Sequence, residues 1–144
     1  MFKRILVPTD GSDITSNAVN TAIALAKIHG AQLMTLSVME PFPYSAVSEI
    51  QPVPPQEFID AQNRVATQRV EAVCATAAAQ GLACRAHTVE AVHAWEAIID
   101  HAKAEAVDLI VMASHGRRGV AALLLGSETQ KVLTHTDLPV LIVK

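Results

Sequence analysis

Apolar residues along the chain fall into two kinds of run. Short runs rich in β-branched residues or leucine occupy 5–7, 33–38, 107–112 and 140–143, with a weaker one over 82–89. Near-continuous apolar runs of this length are what strands covered on both faces look like. Between them apolar residues recur at helical spacing. In the first such stretch Ile14, Ala18, Ala22, Leu25 and Ala26 share a face, and His29 followed by Gly30 supplies a stop. The second covers about 56–80 and ends at Gly81. The third covers about 93–103, with Ala94, Ala97, Ile98 and His101 near one face. The last covers about 127–136, short of Pro139.

The resulting order is β-α-β-α-β-α-β-α-β over residues 1–144, with no internal repeat and no second domain. Alternation of this kind predicts an α/β fold: an open five-stranded parallel sheet with helices on both faces, joined by right-handed crossovers. Five such strands most often take the order 3-2-1-4-5, which reverses the winding between strands one and four and opens a crevice there. The connection over 40–55 holds five of the seven prolines, Pro41, Pro43, Pro52, Pro54 and Pro55. It reads equally as a flap over the crevice and as a passive excursion.

Composition narrows the picture. Hydrophobic residues are 51% and charged residues 17%, as in a globular chain, while aromatics are only 3%. Small aliphatic residues suit helices packed close on a sheet. The net charge is −3, and the densest basic spots, Lys3-Arg4 and Arg117-Arg118, are too small to track a phosphate backbone. Nucleic acid is therefore not an expected partner. Cys74 and Cys84 form no C-x-x-C pair and read as two small buried hydrophobes in a reduced, cytoplasmic setting. No apolar stretch is long enough for a signal peptide or a membrane span.

Candidate chemistry gathers at two strand ends. The first strand runs into Pro8, Thr9, Asp10, Gly11 and Ser12, and the fourth into Met112, Ala113, Ser114, His115 and Gly116. Facing each other across the switch point, these turns lie where open α/β sheets bind ligands. Asp10 has the chemistry to accept from a ribose hydroxyl or an adenine amine; equally, Asp10-Gly11-Ser12 reads as a turn leading into a helix cap. Nine residues separate Gly116 from Gly126, and Gly126-Ser127 opens the last helix. Unpaired N–H groups and a partial positive charge at a helix start bind phosphate, and glycine lets backbone approach it closely. Ser127 with Gln130 also reads as a capping box, sufficient by itself to start a helix.

Other signatures are missing. The chain has no G-x-x-x-x-G-K-S/T loop, no G-x-G-x-x-G after the first strand, and no lysine placed to reach a terminal phosphate. Arg117 and Arg118 read equally as solvated and as functional. The six histidines make no metal site: His93 and His101 lie about 80° apart around one helix. His115, beside the crevice, suits a structural or a ligand-facing role. Trp95 reads as helix packing. No catalytic set can be assembled from spacing.

The segments ILVPTDGS (5–12), MASHGRRG (112–119), LLGS (124–127) and LPVLIV (138–143) together resemble the universal stress protein family across the whole chain. The resemblance implies an adenine nucleotide alpha hydrolase-like fold and, in one branch of the family, ATP, with magnesium, held by a G-x2-G-x9-G-S/T loop. It places Pro8, Thr9, Asp10 and Val38 against the adenosine. It places Met112, Ala113, His115, Gly116, Gly126, Ser127, Glu128 and Thr129 around the ribose and phosphates. Two positions depart from the pattern. Ala113 stands at the first glycine, where a methyl matters if the backbone is at positive φ, and Glu128 brings a negative charge to the first turn of the last helix.

The expected function is an adenine-nucleotide-binding regulatory protein of the stress response, at most a weak ATPase. The alternative is a dimeric interaction protein of the same fold that binds no nucleotide. A nucleotidyl-transferring enzyme fits least, because the crevice holds no lysine-rich or His-x-x-His signature. The last strand, Val140 to Val143, is apolar on both faces and falls at a sheet edge in the order 3-2-1-4-5. A bare apolar edge invites pairing, so a homodimer joined through this strand is expected, as the resemblance also implies.

Overall fold

The computed structural model describes residues 1–42, 55–115 and 125–144. Nine elements alternate: β1 (Arg4–Pro8), α1 (Asp13–His29), β2 (Gln32–Met39), α2 (Gln56–Ala79), β3 (Cys84–Glu90), α3 (Ala94–Ala104), β4 (Leu109–Ala113), α4 (Ser127–His135) and β5 (Val140–Val143). The five strands form one sheet in the order β3-β2-β1-β4-β5, and every pairing is parallel.

Successive side chains of a strand point to opposite faces, and both faces here are covered, so each strand feeds two cores. Ile5 and Val7 of β1 join Leu33, Leu109 and Val111 under α1 and α2, packed against Ala18, Ala22, Ile23 and Ala77. Leu6 lies between them in sequence and faces the other way, with Met34, Leu36, Ile110 and Met112 against Ile98, Ile99, Ala102 and Val132 of α3 and α4. Ala18, Ala22 and Ala26 of α1 have no exposed surface, which is what a close helix–sheet approach requires.

Element ends have local causes. Gly30 takes the left-handed conformation (φ 63°) that closes α1, and its N–H donates to the Ala26 carbonyl, as the stop at His29-Gly30 predicts. Gly81 does the same job after α2 at φ 77°. Helix α4 starts where the sequence places it, but not through the capping box. Ser127 is the first helical residue and Gly126 is the N-cap, with no side-chain cap bond, so the capping box does not form. The Gly126 carbonyl accepts from Gln130 N (2.9 Å), and its N–H is held by the Ser114 carbonyl at 2.7 Å, which ties the helix start to the end of β4. Strand β3 is an edge strand with no fully buried residue, and that exposure accounts for its weak apolar signal.

Candidate functional site

The switch point between β1 and β4 opens into a cavity of about 580 Å³. Its floor comes from the carboxyl ends of β1, β2 and β4: Pro8 with Thr9 and Asp10, then Leu36 and Val38, then Met112 and Ala113 with His115 just beyond. Gly126, Ser127, Glu128 and Thr129 form one wall at the start of α4. Every residue named for the site from sequence that lies in the described parts lines this cavity; Gly116, like Arg117 and Arg118, lies outside the described residues.

The turn after β1 is closed from within. Asp10 Oδ1 accepts three hydrogen bonds, from Ser12 N at 2.9 Å, Ser12 Oγ at 2.6 Å and Thr15 Oγ1 at 2.9 Å. Gly11, at φ 77°, donates its N–H to Thr9 Oγ1 at 3.2 Å. The turn reading and the cavity-lining reading of Asp10 therefore hold together: one carboxylate oxygen builds the turn, and the residue still faces the cavity. Ser12 is the N-cap of α1, but its hydroxyl makes no cap bond to the helix and donates to Asp10 instead.

The opposite wall is tied to the sheet. Thr129, 4% exposed, donates to the Ala113 carbonyl at 3.1 Å, and Gly126 N reaches Ser114 O at 2.7 Å. Ser114 Oγ lies 3.1 Å from His115 Nδ1 and orients that ring. These bonds hold α4 with its first turn toward the cavity. No side chain caps that turn among the described residues, and the start of a helix presents N–H groups of the kind that can bind an anion.

Both departures from the family pattern have physical explanations. Among the described residues only Ala106 is a non-glycine at positive φ, so alanine at 113 carries no backbone strain, and its side chain packs against the core under α1. The Glu128 carboxylate turns to the neighbouring helix, where Oε2 accepts from Trp95 N at 2.8 Å in the first turn of α3. Glu128 therefore acts as a remote cap for α3. Trp95 packs as expected, half-buried against the second core with its ring 4.5 Å from that of His135.

Several lining residues were not read from sequence, among them Glu40, Gln62, Arg69, Val92 and Ala94. Arg69 is the one lysine or arginine among the described lining residues. Gln62 and Arg69 are seven apart on α2, two helical turns, and so share a face. That spacing was legible; where the face would land was not.

Away from the cavity, His101 packs against His87 with ring centroids 4.6 Å apart. Nε2 of each is buried without a hydrogen-bond partner among the described residues. Burial foremost, then the charge of His87 and that of Arg85, lowers the pKa of His101, and Glu105 opposes the shift. The cysteines are half-buried rather than fully buried. Cys74 Sγ donates to the Cys84 carbonyl at 3.4 Å, and burial together with the neighbouring Cys74 pushes the Cys84 thiol up, which leaves it a poor nucleophile.

The model of the universal stress protein family matches residues 1–144. A universal stress protein of Thermus aquaticus, from the 3' region of a QAH/OAS sulfhydrylase gene, is 36% identical over 146 residues and covers all of both chains. The universal stress protein MJ0531 of Methanocaldococcus jannaschii is 31% identical over 145 residues, which is all of this chain and 83% of that one. Among solved structures, universal stress protein UspA from Lactobacillus plantarum superposes with a TM-score of 0.83 at 24% identity, over 99% of this chain and 98% of that one. A family model that matches residues 1–144 and a relative 36% identical over all of both chains place this chain in the universal stress protein family.

Proposed function

We propose that this universal stress protein binds an adenine nucleotide, ATP with magnesium, in the cavity between β1 and β4 and acts as a regulatory protein of the stress response. One observation carries the reading: the first turn of α4, begun at a glycine and uncapped by any described side chain, opens into a cavity of mononucleotide scale. The adenosine half lies against Pro8, Thr9, Asp10 and Val38. The phosphates lie at Gly126, Ser127 and Thr129, with Met112, Ala113, His115 and Gly116 alongside and Glu128 turned toward α3. Magnesium arrives on the nucleotide's own phosphate oxygens, its usual mode in such sites. Among the described lining residues no lysine reaches the phosphates beside a general base, which supports hydrolysis that is absent or slow.

The edge strand β5 supports a homodimer. Leu141 is 39% exposed on it, and its apolar residues and open backbone suit antiparallel pairing with a second copy in the cytoplasm. Light scattering on a sizing column then gives a dimer at micromolar concentration, and a monomer there counts against the pairing.

The nucleotide reading is tested by denaturing freshly purified protein and assaying released adenine nucleotide by absorbance and mass spectrometry. Titration of ATP and magnesium follows in a melting assay. At a hundredfold excess over Kd the bound form gains about 2.7 kcal/mol, so the melting temperature rises by several degrees. Neither released nucleotide nor a shift leaves the interaction protein without nucleotide as the function.

A further inference from the structure

A second cavity of about 510 Å³ adjoins the first, between the N-terminal half of α1 and α2. The two share Thr9, Thr15 and Arg69, so they are neighbouring compartments with Arg69 at the partition. Gly11 makes that arrangement possible. A Cβ there would lie 3.0 Å from Arg69 Cγ and 3.3 Å from Nε, and the residue is at φ 77°, so glycine leaves the path of the arginine open. Val19 and Val73 give the second compartment an apolar wall, while Ser16, Asn20 and Gln68 give it a hydrogen-bonding rim. That combination suits a flat heterocycle with a sugar attached.

Each volume alone falls in the range of about 300–1,000 Å³ expected for one small-molecule site. Two such compartments joined at a guanidinium fit a ligand with two nucleoside-sized halves and an anionic bridge. The planar fork of arginine binds phosphate oxygens in pairs, which suits it to hold such a bridge. We propose that the preferred ligand is a dinucleoside polyphosphate. One nucleoside occupies the main cavity, the phosphate bridge passes from the first turn of α4 to Arg69, and the second nucleoside lies between α1 and α2. This rests on the nucleotide reading of the main cavity and extends it.

The test compares dissociation constants for ATP and diadenosine tetraphosphate, each with magnesium, by calorimetry. The parent protein is expected to bind the dinucleotide at least tenfold more tightly. Ala72→Trp fills the second compartment from an exposed position on α2 that does not line the first. It is expected to erase that gain and leave ATP affinity unchanged, and Ser16→Trp, from the α1 wall, gives the same outcome by a second route. Arg69→Gln is expected to weaken the dinucleotide more than ATP, with partial recovery in Arg69→Lys. Equal affinities in the parent, or a gain that survives both tryptophans, overturns the inference and leaves the ATP site standing. Failure of both ligands to bind overturns the site reading as well.

Discussion

Replacing Gly126 with alanine tests the start of α4 with one methyl group. The backbone at 126 has φ −60° and ψ 150°, which alanine adopts freely, so conformational strain adds nothing. The cost is contact. A Cβ at 126 would stand 3.0 Å from His115 Cα, 3.2 Å from His115 Cβ and 3.5 Å from the Ser114 carbonyl oxygen. The nearest atom is backbone and cannot rotate away, while the 2.7 Å bond from Gly126 N to Ser114 O holds the two segments together. One of them must move by a few tenths of an ångström.

Overpacking of this kind costs about 1–3 kcal/mol, and alanine is also a poorer N-cap than glycine by about 0.5 kcal/mol. At about 2–4 °C per kcal/mol for a chain of this size, the melting temperature is expected to fall by about 3–14 °C. The displacement opens the gap between α4 and the end of β4, so ATP affinity is expected to fall at least tenfold. Calorimetric melting with and without ATP and magnesium measures both. A variant that melts within about 1 °C of the parent refutes the contact; one that melts lower yet keeps its full ATP shift refutes the cradle.

Two further predictions follow from the other helices. His101 has its pKa lowered in the fold, chiefly by burial, so the neutral ring is the one that fits; the associated stability is complete above the ordinary histidine value of about 6.5 and is lost as pH falls below it. Melting temperature is therefore expected to drop between pH 7.5 and 5 and to drop less in His101→Phe; identical slopes in the two proteins contradict the assignment. Glu128→Ala removes the acceptor for Trp95 N and is expected to cost about 1 kcal/mol, the usual worth of a cap. It should also change the emission of Trp95, the chain's one tryptophan, and unaltered melting and emission together would sink the capping role.

How far the fold was legible depended on burial. Strands β1, β2 and β4 are covered on both faces, so their buried residues are nearly all apolar, with only Thr35 and Ser37 of β2 polar, and a run as short as Ile5 to Val7 stands out. Strand β3 lies at the sheet edge: Arg85, Ala86, Thr88 and Glu90 are exposed, the apolar run breaks up, and the strand reads weakly. The start of α4 falls at Ser127, where the sequence places it, and only the capping-box reading of that start fails, for a different reason. Serine and glutamine three apart satisfy a local rule, but the bond from Gly126 N to Ser114 O is a tertiary contact, and it decides which residue closes the helix.

The site divides along the same line. Pro8, Thr9, Asp10, Met112 and Ala113 were legible because the order of a parallel sheet places the carboxyl ends of β1 and β4 together whatever the side chains are. Contributions from α2 and α3 depend on how each helix lies across the sheet, which spacing within the helix does not encode. Arg69 and Trp95 therefore acquire their roles only in the fold. This also reverses the weight of the two departures from the family motif. Ala113 sits at an ordinary backbone conformation and spends its methyl on the core, while the Glu128 carboxylate is engaged 33 positions away in sequence, at Trp95 N. Neither removes a donor from the first turn of α4. Arg69, the one lysine or arginine among the described lining residues, belongs to no motif and shares the cavity lining with the acids Asp10, Glu40 and Glu128. Differences in ligand choice between this protein and its relatives are therefore to be sought on the inner face of α2 before the glycine loop.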